Sequence, residues 1–69
     1  MTKIETEKLF FITFCIEQYK KIKGLSGADT EKLFSKRGVT DYLNDNYDVL
    51  HTQDAKWILE EIDEFLKEK

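Results

Sequence analysis

The sequence predicts an all-α fold: a compact four-helix domain with two longer outer helices and two short central helices. Three observations carry this expectation. Apolar residues recur at three- and four-residue intervals and nowhere alternate with polar ones as they would on a half-buried strand. Residues of the capping type fall immediately before these periodic stretches. The chain contains no proline and three glycines, so little interrupts a helix except where a turn is needed.

The first helix is expected from about Lys3 to Lys23, with Thr2 and Glu5 spaced as a capping box and Gly24 as the stop. Ser26 caps a short second helix, Asp29 stands three residues on, and Gly38 closes it after Lys36 and Arg37. Thr40 is the expected cap of a third helix that passes through Tyr42, Leu43 and Tyr47 and fades near His51. Thr52 is the expected cap of the fourth, in which Ala55, Ile58, Leu59, Ile62, Phe65 and Leu66 recur at helical spacing to the C-terminus.

At 69 residues the chain makes one domain, residues 1–69. A chain this short buries only about 60% of its unfolded surface, so its core has to be efficient. Five Phe, three Tyr and one Trp supply large rings for that purpose. Cys15 is the one cysteine and lies in an apolar run, which fits a small hydrophobe in a reducing compartment. The mixed, charged N-terminus resembles neither a signal peptide nor a membrane span, and a cytoplasmic protein is expected. Net charge is −3, with lysines interspersed among acids, which argues against a nucleic-acid partner.

Residue chemistry points away from catalysis. His51 with Asp48 three residues earlier could form an oriented base, but a lone histidine before a threonine more often donates to a backbone carbonyl or packs at the junction. Cys15 falls mid-helix on an apolar face, where burial suppresses thiol reactivity. One histidine and one cysteine, far apart, lack the spacing of a zinc site. Asp41, Asp45 and Asp48 lack the glycine and closing glutamate of a calcium loop, and no phosphate-binding glycine motif is present. No enzyme activity, cofactor, metal or small-molecule substrate is therefore expected. The segment Tyr47, Asp48, His51 and Thr52 is instead expected to serve as a structural junction, with Tyr47 and Leu50 pointing inward.

On a helical wheel, Ile4, Leu9, Phe11, Ile12, Cys15, Ile16, Tyr19 and Ile22 share one broad face of the first helix. Phe10 falls in the opposite, polar sector, and Phe14 lies at its edge, one turn further on. Trp57 points away from the apolar stripe of the last helix, among Glu60, Glu61 and Glu64. Phe10, Phe14 and Trp57 are thus the candidate partner-binding residues, for a protein partner or a homodimer. The alternative for each is that a turn or the N-terminus folds over it. A competing function is a small helix-turn-helix-like DNA-binding regulator, with a positive patch from Lys20, Lys21, Lys23, Lys36 and Arg37. The acids Asp41 and Asp45 at the start of the third helix weigh against it.

The strings Phe14-Cys15-Ile16-Glu17-Gln18-Tyr19-Lys20, Leu25-Ser26-Gly27, Leu33-Phe34, Gly38-Val39 and Asp41-Tyr42-Leu43 are similar to a family of short bacterial proteins catalogued as a domain of unknown function. Tyr47-Asp48-Val49-Leu50-His51-Thr52 is the most specific part of that resemblance, which spans nearly the whole chain and includes Ile58, Ile62, Asp63 and Phe65. The family implies no activity and no ligand residues. Some members are encoded beside proteins resembling ADP-ribosyltransferases, which implies a neutralising or regulatory partner of a toxin-like protein.

Overall fold

The computed structural model describes residues 2–67, which form five helical segments. These are α1 (Lys3–Lys23), α2 (Gly27–Lys36), α3 (Val39–Asp45), α4 (Tyr47–Leu50) and α5 (Ala55–Lys67). The all-helical character and the bounds of α1 follow the sequence expectation. Thr2 Oγ1 accepts from the Glu5 N–H at 3.3 Å while the Glu5 carboxylate accepts from the Thr2 N–H at 3.1 Å, a closed capping box. At the other end Gly24 turns left-handed with φ of 67°, a conformation that glycine reaches without a Cβ penalty.

α2 opens on Ser26, whose hydroxyl oxygen accepts from the Asp29 N–H at 3.1 Å. It closes at Arg37, and Gly38 follows with φ of 78°. Here the structure corrects the expected start of the third helix. Gly38, not Thr40, is its cap, and Val39 is already its first residue. The left-handed glycine ends one helix and begins the next in one step, which carries Val39 directly into the core at 0% exposure. Thr40 therefore falls inside the first turn.

The expected third helix is also broken in two. At Asn46 the backbone leaves helical geometry, with φ of −110° and ψ of 19°. Both the Asn46 backbone N–H and its side-chain amide donate to the Tyr42 carbonyl, at 3.1 and 2.9 Å. An Asn side chain that binds local backbone in this way competes with helix continuation, and α4 restarts as a single turn.

A further correction concerns Thr52, expected to cap the last helix. Its hydroxyl instead donates to the Val49 carbonyl at 2.7 Å and so finishes α4. Asp54 takes the capping role: its Oδ1 accepts from the Trp57 N–H at 2.8 Å, and α5 begins at Ala55. The expected continuation of this helix past Lys67 lies outside the described residues.

The core gathers Cys15 and Tyr19 from α1, Phe34 from α2, Val39 and Leu43 from α3, Leu50 from α4, and Ile58, Leu59 and Ile62 from α5. α1 packs against α2, α3 and α5, so it serves as the spine. At 1.5 Å per residue its 21 residues reach about 31 Å, which accounts for the 31 Å long dimension of the molecule. The 13 residues of α5 reach only about 20 Å. The broad apolar face of α1 is consequently not all core: Ile4, Leu9 and Ile22, toward its two ends, are exposed.

Candidate functional site

The N-terminal half of α1, the α4 turn and the start of α5 enclose an open groove of about 560 Å³. α1 contributes Glu7, Phe10, Phe11 and Phe14 to one wall, residues spaced by three and four and so aligned on one side of the helix. Tyr47 and His51 form the opposite wall, and Ala55 and Ile58 close the end from α5. Phe10 is 69% exposed and Phe14 44%, so neither is covered by a turn or by the described part of the N-terminus.

The Tyr47–His51 wall is rigidly made. The Tyr47 and His51 rings stack with centroids 4.3 Å apart and planes 7° from parallel. His51 Nδ1 lies 2.6 Å from the Tyr47 carbonyl oxygen. A carbonyl only accepts, so Nδ1 carries the proton and, in the neutral ring, Nε2 is left as an acceptor. The backbone orients this imidazole, and Asp48 has no part in that contact. From the other side Phe11 meets Tyr47 edge-on at 5.5 Å. The Tyr47 hydroxyl is held above its ordinary titration range by burial, then by the nearby carboxylates of Glu7 and Asp48 and a hydrogen bond to Glu7. Tyr47 thus stays protonated at ordinary pH.

Other potentially reactive groups are engaged elsewhere. Cys15 is buried, and desolvation pushes its thiol up to about 12, which keeps it protonated and inert. The Tyr19 hydroxyl donates to Asp63 Oδ1 at 3.2 Å, and Lys23 Nζ donates to Asp63 Oδ2 at 3.1 Å, a polar clamp between α1 and α5. Burial and the Asp63 carboxylate both raise the Tyr19 titration. Among the described residues, no group of three His, Cys, Asp or Glu side chains converges as metal ligands.

The residues singled out by sequence separate into two places. Phe10 and Phe14 come together with Tyr47 and His51 on the groove, joining what had looked like two unrelated features. Trp57, 38% exposed on α5, is not part of its lining. Asp48 and Thr52 lie beside the groove on the exposed surface of the junction. Glu7 was missed: its signal was its position three and four residues before Phe10 and Phe11.

Of the five cations of the expected positive patch, two are paired with acids and a third is tied to a backbone carbonyl. Lys20 pairs with Glu17 at 3.0 Å, Lys23 pairs with Asp63, and Arg37 donates to the Leu66 carbonyl at 2.9 Å. The exposed residues of α3 are Asp41, Asn44 and Asp45. No helix among the described residues is long and apolar enough to cross a membrane.

Comparison with known proteins adds a family and no activity. The model of a protein of unknown function, DUF3791, matches residues 10–69. No curated protein and no solved structure matches.

Proposed function

We propose that the chain, which belongs to this family of unknown function, acts by binding another protein through the groove at Phe10 and Phe14. The single observation that carries the proposal is that two large rings, 69% and 44% exposed, stand one turn apart on a concave wall beside the stacked Tyr47–His51 pair. Large exposed rings in a concavity supply the anchors that dominate interface energies. A pre-stacked opposite wall lowers the ordering cost on association. A neutralising or regulatory role toward a toxin-like neighbour is one setting for such a face, since it requires binding and no chemistry.

The test is side-by-side affinity capture from the native host with the tagged wild-type chain and the Phe10→Ser/Phe14→Ser double variant. We expect a stoichiometric protein on the wild type and its loss on the variant at an unchanged melting temperature. Equal capture by both would place the binding face elsewhere, with Trp57 the next position to examine. Retention on a DNA column instead, lost as salt rises, would favour the regulator alternative.

A further inference from the structure

The groove is not merely apolar. Its lining holds one fully charged side chain, the carboxylate of Glu7, set among the rings of Phe10, Phe11, Phe14 and Tyr47. Among the described residues no lysine or arginine lines it. Lys8, the next residue of α1, turns 100° away from Glu7 on the helix, and Lys56 lines a separate depression with Ile22 and Leu59. A concavity with aromatic faces, one carboxylate, no lysine or arginine and, in the neutral His51 ring, an acceptor nitrogen is complementary to an organic cation.

We infer that the groove receives an arginine side chain flanked by apolar residues on a segment of the partner protein, with Glu7 as its counter-charge. This deepens the protein-binding proposal and rests on it. A guanidinium fits better than an ammonium because it is planar and weakly hydrated, stacks on aromatic faces and can meet a carboxylate with two parallel N–H donors. The volume of about 560 Å³ is in the range of roughly 300 to 1,000 Å³ typical of ligand pockets, which leaves space for flanking apolar groups against Phe10 and Phe14.

The test uses two probes on the full chain, the peptide acetyl-Leu-Arg-Leu-amide and its citrulline counterpart, which has the same shape without the charge. Binding is read from the shifts of the Tyr47 and His51 ring protons by NMR. The arginine peptide is expected to bind at least about tenfold more tightly than the citrulline peptide. In Glu7→Gln the preference should fall to within about twofold. Phe14→Ser, at an exposed position, should weaken both peptides and serves as the second variant. Equal binding of the two peptides by the wild type would overturn the cationic inference and leave the apolar groove intact. So would a preference for arginine that survives in Glu7→Gln. Failure of both peptides to bind, including through self-association that covers the groove, would also overturn it. The protein-binding proposal is judged separately, by the capture experiment.

Discussion

Two stretches of the same helix have opposite relations to the rest of the molecule. Around Cys15 and Tyr19, α1 is built into the core: Cys15 is sealed at 1% exposure, Tyr19 meets Phe34 edge-on at 5.4 Å, and its hydroxyl is tied to Asp63 on α5. Phe10, five residues before Cys15, and Phe14, immediately before it, present comparable rings to solvent. The difference is not one of residue type, since both stretches are aromatic. It arises because α1 outruns its partners and because Phe10 and Phe14 face the open groove and not the closed core. Burying a large apolar side chain is worth about 1.5 to 3 kcal/mol, so the C-terminal stretch contributes to folding in a way that the N-terminal stretch does not. What the exposed rings can contribute is association.

Breaking the closed side should have the largest effect. Phe34 has 0% exposure and touches Tyr19, and Phe34→Ala should cost about 3 to 5 kcal/mol. A domain of this size has only about 3 to 10 kcal/mol in total, so urea denaturation should find the variant largely unfolded or close to it. Next in size is the α5 cap. Asp54→Ala should cost about 1 kcal/mol in the same assay by freeing the Trp57 N–H. Tyr19→Phe, which removes the hydroxyl bound to Asp63, should lower stability by about 0.5 to 1.5 kcal/mol. At the open side, Phe10→Ser should stay within about 0.5 kcal/mol of the wild type. A loss of several kcal/mol there would mean that Phe10 is a core residue and the comparison is false.

The same contrast has a pH signature. The Cys15 thiol ionises near 9.0 in the unfolded chain and near 12 when folded, because burial disfavours the thiolate. A raised folded value means that its contribution is fully present below pH 9 and is lost as pH climbs toward 12. Stability measured by denaturation should decline over that window in the wild type and less steeply in Cys15→Ala. Alkylation of Cys15 at neutral pH should require unfolding.

Much of this arrangement was legible in the sequence because local rules governed it. The α1 boundaries followed from the Thr2–Glu5 capping box and Gly24, and the Ser26 cap of α2 followed from the same chemistry. The surplus character of Phe10 followed from helical periodicity alone. The failures came where two local options competed and tertiary packing decided. Thr52 and Asp54 are both good caps, and the choice turned on Thr52 spending its hydroxyl on Val49. Thr40 lost to Gly38 because a left-handed turn delivers Val39 to the core. The groove itself was not legible, because it depends on the α4 turn bringing Tyr47 and His51 opposite residues some forty positions earlier. No periodicity encodes that approach.

If the N-terminal stretch of α1 touches another protein in the cell, site-specific photocrosslinking will capture the contact. A benzophenone side chain would replace Phe10, Phe14 or, as a control on the exposed face of α2, Glu31. After irradiation in the native host, a discrete adduct is expected from positions 10 and 14 and none from position 31. Absence of any adduct at 10 and 14, or adducts of equal yield at 31, would contradict it.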